Sequence, residues 1–288
     1  MKILIFGTSS PIGKSFYNFL KRETNYDIYS VVDVRDIFFE EESEYIIENN
    51  FLDSSHYSRI INEISPDVVI YGYSYDIEDD DESKCWDYNT SNVEILFNIC
   101  CNKDIHLVAF SSNKVFDGKN GLSYNNSIPN PETYYGKCKL AVEQMVTKKN
   151  SKTTIIRITD WYGYNEYGNG LLIGKILNNL NVICHDNVFY NPLFLDDLAI
   201  VVYKIIEKKV YGIINAGGKD LINEYEFYEL VRKTINNTDH KKCFKFTKPT
   251  SLNYGLDILE TENLLNMKFS NLNEGLSSVR FYSGLYKL

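Results

Sequence analysis

Lys2-Ile3-Leu4-Ile5-Phe6-Gly7-Thr8-Ser9-Ser10-Pro11-Ile12-Gly13 is the stretch whose reading decides the fold. Residues 2–6 form a short apolar run, the pattern of a strand buried on both faces of a parallel sheet. After the turn, Ile12, Phe16, Phe19 and Leu20 fall on one face of a helix. Ser10 suits its N-cap and Pro11 its first position. A glycine-rich turn from strand to helix offers backbone N–H groups and the positive helix end to a pyrophosphate. The usual dinucleotide signature carries three glycines. Here Gly7 and Gly13 hold the outer places, and Ser10 stands in the middle, where its hydroxyl is a further donor. The candidate phosphate-binding set is therefore Gly7, Ser9, Ser10, Pro11, Ile12 and Gly13.

The same pattern recurs outward from this turn. A second strand, residues 28–34, ends near Asp33, an acid placed to accept from the adenosine ribose hydroxyls of NAD. Arg35 follows and can face a 2′-phosphate instead, so NADH and NADPH both stay open. Asn50 and Phe51 sit where a side chain can meet the adenine ring. Pro66 starts a further buried strand ending in Tyr71, Gly72 and Tyr73, beside which a cofactor can pass. The acidic run 76–82 reads as a solvated loop face, and Asn89 starts a helix with Val93, Leu96, Phe97 and Cys100 on one side. Residues 105–111 form the next strand, delivering Ser111 and Ser112 to the C-terminal edge of the sheet, where ligands bind in open α/β folds. Alternation of buried strands with helices predicts a Rossmann-type, doubly wound parallel sheet with a smaller C-terminal α/β substrate lobe. The expected dinucleotide-binding domain is residues 1–160 with 191–218 returning to it. The lobe takes 161–190 and 219–288, with a loop and a helix expected over 164–190.

Tyr134-Tyr135-Gly136-Lys137-Cys138-Lys139 carries the chemistry. Tyr135 and Lys139 are four apart on a helix and share a face. A free phenol titrates near 10 and is a poor acid or base at neutral pH. A nearby ammonium favours the phenolate and brings it toward the working range. A serine hydroxyl from the strand end can then share a substrate oxygen with the phenol. With 23 tyrosines in the chain, the spacing alone decides little. Its place after Ser112 and behind a glycine turn gives it weight.

Composition narrows the class. The chain has 288 residues, 44% hydrophobic and 24% charged, with a net charge of −9, as expected of one large globular body. No basic cluster offers the positive field a nucleic acid needs. Six cysteines form no C-x-x-C pair and four histidines are scattered, so no metal is expected. The opening reads as too short for a signal peptide and no apolar run approaches about 18 residues, which excludes a helical membrane span. Free thiols point to a reducing cytoplasm.

With these residues in place, the chain resembles the extended short-chain dehydrogenase/reductases, most closely the dTDP-4-dehydrorhamnose reductase branch. The likeness runs through Gly7 and Gly13, Pro66-Asp67-Val68-Val69-Ile70 and Ser111-Ser112-Asn113-Lys114-Val115-Phe116-Asp117-Gly118. It continues through Pro129-Asn130-Pro131, Tyr135 to Glu143, Arg157, Asp197-Leu198-Ala199 and Tyr211-Gly212-Ile213. It implies a catalytic set of Ser112, Tyr135 and Lys139, and hydride transfer from NADPH or NADH to the C4 keto carbon of a 4-keto-6-deoxy nucleotide sugar. By that likeness Tyr135 protonates the new C4 oxygen, Ser112 hydrogen-bonds it, and Lys139 holds the nicotinamide ribose. Asn113, Val115, Phe116, Arg157, Trp161 and Asn169 are the candidate substrate contacts. Arg157 reads equally as a structural ion pair, and Trp161 as core filling. A homodimer through the helix bearing Tyr135 is expected by analogy.

Two departures bear on the substrate. The branch's Thr-Asp-Tyr is here Ser112-Asn113-Lys114, and its Gly-x-Pro-Thr segment is replaced by residues 187–194. Two other enzymatic readings follow: a C4 epimerase with tightly held NAD, and a dehydratase. The dehydratase is disfavoured because Asn113 and Lys114 cannot do the work of two carboxyls. A third reading is a non-catalytic nucleotide-binding regulatory subunit, against which the complete Ser–Tyr–Lys set argues.

Overall fold

The computed structural model describes residues 1–31, 52–74, 81–147, 151–163, 182–235 and 243–282. These divide into two compact units: Met1–Val115 with Pro129–Arg157 and Ala199–Ile214, and Phe116–Ile128 with Ile158–Leu198 and Asn215–Leu288.

The first unit alternates strand and helix from its start. β1 (Lys2–Phe6) leads to α1 (Pro11–Glu23), β2 (Asp27–Val31), α2 (Ser54–Ile64) and β3 (Val68–Tyr71). α3 (Glu82–Trp86), a π-helical turn at Asp87–Ser91 and α4 (Asn92–Lys103) follow. Then come β4 (His106–Ser112), α5 (Tyr134–Thr147) and β5 (Thr153–Ile158). With the strand Gly212–Ala216, the five strands build one parallel sheet in the order Gly212–Ala216, β5, β4, β3, β1, β2. Ile3, Leu4, Ile5 and Phe6 are all fully buried, because a parallel sheet covered on both faces leaves no polar side for alternation. Chain order reverses between β1 and β3, so the switch point lies at the ends of Phe6 and Tyr71. The core gathers the helix faces of α2 and α4 on these strands, with Tyr57, Ile60, Ile61, Leu96 and Phe97 against Leu4, Phe6 and Val69.

α1 starts as its sequence predicts. Ser10 caps it, accepting from Gly13 N at 3.0 Å, with Pro11 in the first turn and Lys21 and Arg22 in the last, where cations complement the helix dipole. Its buried face uses Tyr17 rather than the expected Phe19, together with Phe16 and Leu20. Helix continuation from Asn89 is corrected: Asp87–Ser91 is a π turn, and the α-helical part begins at Asn92.

The second unit is built from short strands. Ile222–Asn223, Val188–Tyr190 and Leu252–Asn253 form one sheet, Cys243–Phe246 pairs with Val182–His185, and Trp161–Tyr162 pairs with Leu193–Phe194. Its core packs Tyr162, Tyr190, Phe194, Phe227, Tyr228, Val231, Leu272 and Leu276. Val182–His185 and Val188–Tyr190 replace the loop and helix expected for the end of 164–190; residues 164–181 lie outside the described set. Among the described residues no helix is long and apolar enough to cross a membrane.

Candidate active site

At the switch point, three glycines let three backbones meet. A Cβ on Gly13 would lie 2.0 Å from Gly7 O, and one on Gly7, whose φ is +92°, would lie 2.9 Å from Tyr73 N. A Cβ on Gly72 would lie 3.3 Å from Phe6 O. The outer glycines of the signature are thus required by packing. Ser10 differs from its reading as a donor to phosphate. Its hydroxyl donates to Gly72 O at 3.1 Å and accepts from Gly13 N, so its one proton closes the turn onto β3. The cradle still offers polar groups: Thr8 Oγ1 and Ser9 Oγ are buried without a hydrogen-bond partner among the described residues. Buried hydroxyls left unpaired are costly, and a diphosphate would satisfy both. The residues present therefore fit a dinucleotide.

Tyr71 and Tyr73 lie beside this turn in different ways. Tyr71 is buried, donates to Tyr88 O at 2.8 Å, and burial pushes its phenol well above the usual range. Its side chain belongs to the core, a correction to its place among cofactor contacts. Tyr73 is also largely buried, its ring standing next to Gly7. Asp33, Arg35, Asn50, Phe51 and Asn169 lie outside the described residues. Leu52, just after the expected adenine contact, donates its N–H to Asn92 Oδ1 at 3.0 Å.

α5 is seated on the turn after β4 by Gly136, where a Cβ would lie 2.2 Å from Lys114 O. Thr133 caps the helix start, its hydroxyl accepting from Gly136 N at 3.0 Å. Ser112 and the first turn of α5 are therefore neighbours. Lys139 is 2% exposed and its Nζ lies 5.4 Å from the centre of the Tyr135 ring, within reach of a charge effect on the phenol. Ser112 Oγ donates to Asn113 Oδ1 and accepts from Lys114 N, each at 3.2 Å.

Two residues that the sequence reading left out of the site complete the surroundings of Tyr135. Ser74 Oγ is 3.3 Å from Tyr135 OH and donates to Asn89 Oδ1 at 3.2 Å. Asn89, fully buried in the π turn, donates from Nδ2 to Cys85 O at 2.9 Å. The place of Asn89 in a π turn, a frequent device at functional sites, has no plain sequence signal. Cys138 is a buried filler, its thiol pushed up to about 12 by burial and by Cys85 beside it, which leaves it unreactive.

The two serines of β4 separate. Successive strand residues face opposite ways, and Ser111 Oγ donates to Glu143 Oε1 at 2.6 Å. Arg157 is corrected as a ligand contact: at 2% exposure, its Nε and Nη2 donate to Glu143 Oε1 and Oε2 at 2.9 and 2.8 Å. Val115 is fully buried, so its side chain also leaves the ligand set, and Asn113 is 1% exposed and holds Ser112. Phe116, largely buried, and Trp161, half-buried in a strand paired with Leu193–Phe194, belong to the second unit.

An open parallel sheet with a glycine turn at its switch point, and a Tyr-x-x-x-Lys helix behind the next strand end, define a Rossmann-type protein of the short-chain dehydrogenase/reductase kind. The chain belongs to the family described as RmlD substrate binding domain, whose model matches residues 1–253. It is similar to dTDP-4-dehydrorhamnose reductase of Aggregatibacter actinomycetemcomitans, 24% identical over 98% of this chain and 99% of that one. Methionine adenosyltransferase 2 subunit beta of Xenopus laevis is 26% identical over 62% of this chain and 57% of that one. Among solved structures, dTDP-4-dehydrorhamnose reductase of Bacillus anthracis in complex with NADP has a TM-score of 0.80 at 19% identity, covering 98% of this chain and 99% of that one.

Proposed function

We propose that this protein reduces the C4 keto group of a 4-keto-6-deoxy nucleotide sugar, using NADPH or NADH, in deoxysugar biosynthesis. The observation that carries the reading is Lys139 buried beside the Tyr135 ring, on a helix seated by Gly136 next to Ser112. The end-to-end likeness to a dTDP-4-dehydrorhamnose reductase supports it.

The cofactor, when bound, supplies a hydride to C4. The turn Gly7–Gly13 and the N-terminus of α1 hold its diphosphate, Thr8 and Ser9 offering hydroxyls. Asp33 or Arg35 meets the adenosine ribose, and Asn50 and Phe51 the adenine. Tyr135 gives its proton to the C4 oxygen as the alkoxide forms, which leaves an alcohol on the sugar and a phenolate that solvent reprotonates. Lys139 stabilises that phenolate by its charge, and Ser112 turns its hydroxyl from Asn113 to the C4 oxygen. We place the enzyme in the cytoplasm and infer a homodimer, the latter tested by sedimentation of the purified protein.

The assay is NAD(P)H oxidation with a panel of 4-keto-6-deoxy sugar nucleotides. Turnover of one of them, lost at least about 100-fold in Tyr135→Phe, supports the reading. No turnover by any, with wild type and Tyr135→Phe alike, sinks it. The likeness to methionine adenosyltransferase 2 subunit beta favours a second reading, a non-catalytic nucleotide-binding subunit. That reading requires NADP binding without turnover.

A further inference from the structure

Ser112 is the hydroxyl that the proposed function gives to the substrate oxygen. A second hydroxyl lies against the phenol itself: Ser74 Oγ is 3.3 Å from Tyr135 OH. Ser74 is exposed and stands three residues past the end of β3. The segment that carries it is held close to the glycine turn. Gly72 N donates to Phe6 O at 2.8 Å, and Gly72 O accepts from Ser10 Oγ at 3.1 Å. The chain leaving β3 thus brings a neutral donor and acceptor to the first turn of α5.

A serine hydroxyl has one proton to give and can also accept. That proton goes to Asn89 Oδ1 at 3.2 Å. The other end of the Asn89 amide sets its orientation, Nδ2 donating to Cys85 O at 2.9 Å, so the carbonyl oxygen is the end that faces Ser74. With its proton engaged there, Ser74 Oγ meets a neutral Tyr135 as an acceptor. Once the phenol has given its proton away, the phenolate is the stronger acceptor, because a hydrogen bond to an ionised group is shorter and roughly twice as strong as a neutral one. The Ser74 proton then turns from Asn89 to Tyr135. A separation of 3.3 Å is long for two hydroxyls and suits a contact that tightens only as charge forms.

We propose that Ser74 is a positioning residue for the proton transfer: its hydroxyl accepts from the neutral phenol and donates to the phenolate, and so favours the charged form of Tyr135 over the neutral one. The proposal deepens the proposed function and rests on its assignment of Tyr135 as the acid. The only proton transferred is the one Tyr135 gives to the C4 oxygen; Ser74 keeps its own throughout. Ser74 is neutral in both states, so its effect is that of a hydrogen bond and not of a charge added or removed.

The titratable groups about this site are Tyr134, Cys138 and Lys139 on α5, Glu82 and Cys85 on α3, Asp87 in the π turn, Glu94 in the first turn of α4 and Lys114 in the turn after β4. The end of β4 adds only serines. All of these groups are unchanged in the variants compared below.

The test uses the full chain without substrate and three variants at this exposed position. Ser74→Ala removes the hydroxyl, Ser74→Thr keeps one, and Ser74→Val has the shape of threonine without it. Tyrosine labelled with ¹³C at Cζ is followed by NMR through a pH titration, the Tyr135 signal being identified by its loss in Tyr135→Phe. The Tyr135 midpoint rises by about one pH unit in Ser74→Ala and Ser74→Val, and stays with wild type in Ser74→Thr. Threonine and valine that behave alike overturn the proposal, because shape and not the hydroxyl then sets the phenol. An alanine variant that does not shift the midpoint overturns it as well. With a keto sugar nucleotide that wild type reduces, kcat falls roughly threefold to tenfold in Ser74→Ala and Ser74→Val at unchanged KM, and Ser74→Thr restores it. Hydroxyl-dependent NMR shifts without turnover of any sugar nucleotide sink the reductase reading and leave the Ser74 contact standing. Turnover by a chain whose Tyr135 midpoint ignores Ser74 does the reverse.

Discussion

Glu143 in the first unit and Asp197 in the second are both buried carboxylates, 2% and 5% exposed, and the fold treats them differently. Glu143 receives an arginine fork as well as a hydroxyl. Asp197, at the start of the helix Leu195–Lys208, receives among the described residues only neutral donors, Ser270 N at 2.7 Å and Ser270 Oγ at 3.0 Å. Burial pushes Asp197 from 3.8 up to about 6, the Ser270 bonds oppose the rise, and Asp196 and Glu274 add to it. Two neutral hydrogen bonds do not replace the hydration a buried carboxylate loses. A matched cation can, provided both partners are present.

The largest effect that comparison predicts is in Arg157→Met. Removing one partner of the buried pair costs about 3–5 kcal/mol, and replacing both partners by apolar side chains restores most of it. Urea unfolding of the single and double variants measures this, and a double variant no more stable than the single contradicts it. Next comes the pH dependence carried by Asp197. Its folded pKa is raised above the unfolded one, so its contribution is fully present below about 4 and is lost as pH rises through about 6. Stability traced to this group falls over that window by on the order of 3 kcal/mol. Asp197→Asn removes that slope, and an unchanged slope between pH 4 and 7 refutes the assignment. Ser111→Ala, which takes a hydroxyl from a paired carboxylate, costs about 1.5–3 kcal/mol at neutral pH by the same unfolding assay. The smallest effect sits at the glycine turn: Ser10→Ala removes a cap and costs about 1 kcal/mol, whereas Ser10→Gly costs a few tenths. No loss in Ser10→Ala would show that the capping bond to Gly13 N contributes nothing.

What the chain discloses before folding is what short-range sterics and local hydrogen bonds decide. Ser10 as cap, Pro11 in the first turn, the buried run Ile3–Phe6 and the strand Thr153–Ile158 follow from neighbours in sequence. Gly7 and Gly13 were readable because backbone crowding admits only one residue type. Arg157 was not, since its sequence context allowed a diphosphate or an ion pair, and the choice fell to Glu143 on another element. Ser111 and Ser112 look equivalent in sequence, and only the sheet face separates them. The end of 164–190 reads as loop and helix, yet Val182–His185 pairs with Cys243–Phe246 and Val188–Tyr190 with two other strands. Partners that distant are beyond a window of local pattern. The π turn owes its shape to tertiary bonds as well, with Tyr88 O and Thr90 each serving a different neighbour.

The central claim is that Tyr135, under the charge of Lys139, protonates a carbonyl oxygen as a nicotinamide delivers hydride. It is tested most directly by single-turnover reduction of 4-keto-6-deoxy sugar nucleotides with NADPH by wild type, Tyr135→Phe and Lys139→Met, after NADPH binding has been measured for each. The account predicts turnover in wild type and a loss of at least about 100-fold in Tyr135→Phe with cofactor still bound. Reduction at the wild-type rate by Tyr135→Phe would contradict it.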